Sequence, residues 1–165
     1  MIVVSDTSPL NYLILIHQEQ LLPVLFNEVV TTPEVIEEMS APGAPSSVQN
    51  WAANPPAWLS IRSARSIDAS IGLGKGESSA ISLATELRQE RSNITLLIDE
   101  RDGREAARSR GLAIAGTLAV LSEAARQELL DLPAAIALLQ KTSFHIKATV
   151  LDEVLRIDQE RKRSK

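Results

Sequence analysis

Acidic residues stand at four places in this chain where chemistry is possible: Asp6, Glu38, Glu77, and the pair Asp99 and Asp102. Val4-Ser5-Asp6-Thr7-Ser8-Pro9 follows an apolar opening, and Ile98-Asp99-Glu100-Arg101-Asp102-Gly103 follows another apolar run. Gly74-Lys75-Gly76-Glu77 opens a long helical pattern, and Glu38 lies near the end of the short run Val35 to Met39. In an open α/β sheet, ligands bind in the crevice beyond the carboxyl ends of the strands. Carboxylates gathered in one crevice repel each other unless a cation lies among them. An all-oxygen donor set suits Mg²⁺ or Mn²⁺. The pattern predicts metal-dependent phosphoryl transfer.

Each of these residues also has a structural reading. Ser8 and Pro9 supply an N-cap and a first helical residue, which leaves Asp6 spare. Asp99 ends an apolar run with no helix that needs it as a cap. Asp102 is placed to cap a helix opening at Gly103, so a structural role competes there. Glu77 falls in a first helical turn, where the macrodipole favours a carboxylate in any case. The glycines at 72, 74 and 76 tip it toward function, because they let backbone and carboxylate approach a crowded centre. That loop lacks the spacing and the Lys-Ser/Thr ending of a phosphate-binding loop. Spacing does not separate Glu37 from Glu38. His17 and His145 have no spaced partner and are expected as ordinary surface or core residues. A serine nucleophile is excluded for want of a glycine elbow and a suitably placed histidine.

The elements that must position these residues follow from periodicity. Strands are predicted at 2–5, 28–32, 58–63, 95–98 and 112–115, and a polar loop at 64–73. Helices are predicted from Ser8 to about His17, at 21–26, from Pro33, from Ser46 or Ser47 to Ala52, from Gly76 to about Arg91, and from Asp102 to Arg110. The remaining ones run from Thr117 through Ala125, from Leu132 to Gln140, and from Thr149 to about Glu160. Strands alternating with helices predict a parallel sheet flanked by helices on both sides. Residues 1–160 are expected as one domain and 161–165 as a basic C-terminal tail that the core does not need.

The 165 residues are 44% hydrophobic, enough for one domain with a sizeable core. Aromatic residues are only 3%, which argues against a platform of rings for base stacking. No cysteine is present, so zinc–thiolate and thiol-nucleophile chemistry are excluded. No leader pattern and no membrane-spanning run is found, so a cytoplasmic protein is expected. The net charge of −4 does not advertise nucleic-acid binding. Positive charge is concentrated instead at Arg101, Arg104, Arg108 and Arg110, and at Arg156, Arg161, Lys162, Arg163 and Lys165. Each cluster is either a solvated face or a set of phosphate contacts.

Taken in order, the segments Val4–Leu10, Pro33–Met39, Gly74–Ile81, Leu97–Arg104 and Gly116–Leu121 resemble the PIN-domain family of metal-dependent ribonucleases, in its branch related to VapC-type toxins. The resemblance runs to about Glu160. It implies an α/β/α sandwich with a short parallel sheet. It places Asp6, Glu38, Glu77 and Asp99 around one or two Mg²⁺ or Mn²⁺ ions, with Asp102 close by. It also implies RNA as substrate, a homodimer, and a small antitoxin that covers the acidic groove. Glu77 departs from the aspartate that many members carry. On this reading Arg101, Arg104 and Arg108 contact the RNA backbone, and Thr7, Ser8 and Thr117 orient water or phosphate. A haloacid-dehalogenase phosphatase would want a second Asp where Ser8 stands. A receiver domain would want an acidic pair after the first strand. The remaining rival is a PIN-like module that binds RNA or a protein without cutting.

Overall fold

The computed structural model describes residues 1–165. Its centre is strand β1 (Ile2–Ser5), with β2 (Glu28–Thr31) on one side and β4 (Ile94–Leu97) on the other. Strands β3 (Leu59–Ile61) and β5 (Ala113–Ala115) form the two edges, giving the order β3-β2-β1-β4-β5 with every pair parallel. The register aligns Ser5 with Leu97, Leu97 with Ala115, and Thr31 with Ile61. The chain segments leaving these strands therefore emerge along one edge of the sheet. β1 and β4 are followed in sequence by connections to opposite sides, so the crevice between them is the switch point of the fold.

Continuous apolar strands are what a sheet covered on both faces requires. Successive residues alternate between the faces: Val3, Val29 and Leu97 join one core, and Val4, Val30 and Leu96 the other. The first core takes in helices α1 (Thr7–Leu15), α2 (Leu21–Leu25), α3 (Pro33–Met39), α4 (Ser46–Ala53), α7 (Thr117–Arg126) and α8 (Leu132–Gln140). The second takes in α5 (Lys75–Glu90) and α6 (Arg101–Ser109). The result is the three-layer α/β/α sandwich expected from the alternation of elements. The last helix, α9 (Ala148–Arg163), packs Leu151, Val154 and Leu155 on the first core. No helix is long and apolar enough to cross a membrane.

Four local differences from the sequence reading bear on the site. α1 begins at Thr7, one residue before the expected cap, because the Asp6 amide still donates to Leu97 O at 2.9 Å and the chain turns at once. Ser8 and Pro9 thus lie in the first turn, and Asp6 occupies the cap position without a capping side-chain bond. α6 likewise begins early: Glu100 holds its cap position, and Asp102 lies inside the first turn instead of capping it. The 64–73 loop contains a 3₁₀ turn at Ala69–Ile71, capped by Asp68, which also meets Arg110 at 3.3 Å. Finally, α9 runs on to Arg163, so three of the five residues expected as a tail are helical. Arg161 and Lys162 reach back to the buried Asp158 at 2.7 and 2.9 Å.

Candidate active site

The sheet edge brings Asp6 and Asp99 to either side of the switch point, from the ends of β1 and β4. Asp6 is only 2% exposed, and its Oδ1 has no hydrogen-bond partner. Burial pushes its carboxyl up to about 7; the Thr7 amide opposes this, while the charges of Glu77, Glu38 and Glu100 reinforce it. A carboxylate oxygen buried without a partner, as Oδ1 is, costs the fold stability unless it serves a ligand.

Glu38 reaches the cleft from α3, a helix capped by Thr32, whose side chain accepts from the Val35 amide at 3.2 Å. Its Oε2 accepts from Thr7 Oγ1 at 2.6 Å and its Oε1 from the Gly76 amide at 3.0 Å. One side chain so ties the starts of α1 and α5 together. Glu37 makes neither contact. Glycine at position 76 makes room for this contact: a Cβ there would stand 2.6 Å from both Glu38 carboxylate oxygens and displace that side chain.

Glu77 lies in the first turn of α5. Its Oε2 is buried without a partner, and its carboxyl is raised by burial first, then by Glu100, Glu38 and Asp102. A Cβ on Gly103 would lie 2.7 Å from that same oxygen, so a glycine on α6 clears the space in front of it.

Asp99 has a structural task that its position in the sequence concealed. Its Oδ1 accepts from the Thr117 amide and its Oδ2 from Thr117 Oγ1, both at 2.7 Å. Thr117 is the first residue of α7, and Gly116 at the cap position has no side chain to bond with. Asp99 therefore satisfies one of the free amides at that helix start from outside the helix. Burial raises its carboxyl, against the opposing pull of the Thr117 bonds and Arg104. A Cβ on Gly116 would stand 2.7 Å from Asp99 Oδ1 and 3.0 Å from an Arg104 guanidinium nitrogen, so Arg104 lies near the carboxylate and acts on it by charge without forming an ion pair.

The remaining predicted residues sit further out. Asp102 is on the rim, with its side chain 74% exposed, and acts on Glu77 by charge. Arg101 and Arg108 are exposed on α6, and Ser8 is half-buried in the first turn of α1. Glu100 is the residue that sequence reasoning passed over. Its charge acts on Asp6, Glu77 and Asp99 alike. The acidic pair Asp99-Glu100 carries that signal in the sequence, beside an Asp102 whose place before Gly103 suggests a helix cap.

As they stand, no three of these carboxylates converge on a point that would ligate one ion. Thr7, Gly76 and Thr117 hold Glu38 and Asp99 by hydrogen bonds instead. The donor set still fits a hard divalent cation. All donors are oxygens, two of them are buried and unpartnered, and glycines clear the space beside Glu38, Glu77 and Asp99. Such a cation would also relieve the repulsion that raises Asp6 and Glu77.

The fold and the site together define a parallel α/β/α domain with an acidic cleft at its switch point. A family model described as DUF3368, PIN domain, matches residues 2–160, and the chain belongs to the PIN-domain family. PIN domains are generally nucleases and typically use divalent metal ions. No curated protein and no solved structure matches the chain.

Proposed function

We propose that this protein is a metal-dependent ribonuclease that hydrolyses RNA phosphodiester bonds. The observation that carries the reading is the pair of buried, unpartnered carboxylate oxygens, Asp6 Oδ1 and Glu77 Oε2. They belong to one charge-coupled group with Glu38. Asp6, Glu38, Glu77 and Asp99 would hold Mg²⁺ or Mn²⁺, with Asp102 at the rim. When bound, such an ion activates water and stabilises developing negative charge on phosphorus oxygens.

The chain's own residues do the rest. Thr7 and Thr117 fix the carboxylates of Glu38 and Asp99 by donating to them. Arg104, beside Asp99, and Arg101 and Arg108 on the same helix neutralise the RNA backbone and set its register. Asp6, protonated in part near neutral pH without a cation, gives up that proton when positive charge enters.

By its likeness to the toxin branch we further propose a toxin role, a small antitoxin as partner, and a homodimer. The test is cleavage of single-stranded RNA with Mg²⁺ or Mn²⁺ and with chelator. Metal-dependent cleavage by the wild type, abolished in Asp6→Asn, is expected. The absence of convergent ligands favours a second reading, a non-catalytic module that binds RNA or protein. Stable RNA binding with no cleavage under any metal would select it.

A further inference from the structure

A groove of about 860 Å³ leads away from Asp99 between α6, α7 and the segment that enters α9. Helix α6 contributes Arg104 and Arg108 to its lining, and the segment before α9 contributes Phe144, Ile146 and Lys147. That segment is held by α1. Tyr12 of α1 meets the Phe144 ring edge-on, with centroids 4.9 Å apart and planes at 78°. The Tyr12 hydroxyl lies 2.9 Å from Ser143 Oγ. The ring is thus pre-positioned in a chain that has few aromatic residues.

The cations of this groove differ from most others in the molecule. Arg62, Arg110, Arg126 and Arg156 are each engaged by a carboxylate. Arg104, Arg108 and Lys147 form no ion pair, and Arg101 at the mouth makes only loose ones at 3.9 Å. Arg108 and Lys147 carry positive charge without a partner, Arg104 is shared with Asp99, and Phe144 and Ile146 supply apolar surface. Although Asp99 and Glu100 also line the groove, the set complements a ligand that is anionic on one side and flat and apolar on the other. A nucleotide in a single strand is such a ligand. The groove falls in the range of about 300–1,000 Å³ that holds ligands of this size.

Resting on the ribonuclease reading above, we propose that this groove is the subsite for the nucleotide next to the scissile phosphate. It seats one unpaired base against Phe144 and Ile146, and binds the flanking phosphates through Arg104, Arg108 and Lys147. The substrate is therefore single-stranded at this position, because a base within a duplex has no free face to present to Phe144. Arg104 joins the two regions, since it lines the groove and stands beside Asp99.

The test measures binding in chelator, so that it does not depend on cleavage. The probes are a single-stranded RNA of about ten nucleotides, its duplex, and the same strand made abasic. The wild type should bind the single strand more tightly than the duplex. Arg108→Ala with Lys147→Ala should weaken binding about tenfold, with a shallower dependence on salt. Phe144→Leu, which keeps the apolar volume, should weaken binding of the normal strand about tenfold and leave the abasic strand unaffected. Near-ultraviolet circular dichroism checks that each variant keeps its fold. Unchanged affinity in either variant, or equal binding of duplex and single strand, would overturn the proposal. So would a Phe144→Leu variant that shifts a dimer toward monomer while binding RNA normally, which would give the groove to a second copy. Loss of metal-dependent cleavage with this binding pattern intact would remove the hydrolytic reading alone.

Discussion

Asp6 carries the largest single electrostatic cost in the cleft. Its carboxyl ionises near pH 3.8 when unfolded and near 7 in the fold, so between those values the folded state binds more protons. Stability without metal should therefore fall as pH rises through that window, by on the order of 4 kcal/mol. Asp6→Asn should remove the fall: its melting temperature in chelator should exceed that of the wild type at pH 8, and the difference should vanish near pH 4. A thermal melt series across pH checks this, and a variant less stable than wild type at pH 8 would contradict it. Glu37→Gln and Glu38→Gln supply a second comparison. Only Glu38 bonds Thr7 and Gly76, so only its substitution should reduce RNA cleavage strongly. Equal small effects on initial rate would exclude α3 as a source of function. The identity of Asp6 and Asp99 as cleft residues was legible in the sequence, because an acid that ends a buried strand is rare and local. The choice between Glu37 and Glu38 was not, since it depends on where α3 meets the start of α5, a contact between residues 38 apart.

Helix starts do much of the positioning, and their exact onset was the least legible feature. No helix that needs a cap follows Asp99 immediately, so nothing local in the sequence marks its structural work. The helix that it serves, α7, starts 18 residues later. Asp99→Asn keeps one acceptor oxygen and so loses one of the two bonds to Thr117. That change should cost about 1 kcal/mol, and Asp99→Ala, which strips both, about 2 kcal/mol. Urea unfolding in chelator measures both, and an unchanged midpoint in Asp99→Ala would deny the capping role. Helices α3 and α8, in contrast, could be read from sequence: Thr32-Pro33 and Asp131-Leu132-Pro133 pair a capping side chain with a proline at the first turn.

Across the whole molecule, alternating strands and helices made the parallel sandwich readable, and the two-sided burial of β1, β2 and β4 follows from consecutive apolar pairs at their centres: Val3-Val4, Val29-Val30 and Leu96-Leu97. The C-terminus was harder to read, because Arg161, Lys162 and Arg163 lack apolar periodicity. What holds them is charge: Asp158 is 5% exposed and receives Arg161 and Lys162. Removing residues 161–165 takes both cations from Asp158 and opens it to water, and should destabilise the domain by about 1 kcal/mol. An unchanged unfolding midpoint in the truncated chain would show that this end is solvated surface.

The proposed role of the cleft requires that its mutually repelling carboxylates bind a divalent cation. Calorimetric titration of Mn²⁺ into the wild type at pH 7, in buffers of different ionisation enthalpy, tests it most directly. Binding is predicted, accompanied by release of a fraction of a proton as Asp6 ionises, and Asp6→Asn should lose the proton release and most of the affinity. Absence of Mn²⁺ binding at millimolar concentration, or equal binding by Asp6→Asn, would contradict the assignment of this cleft.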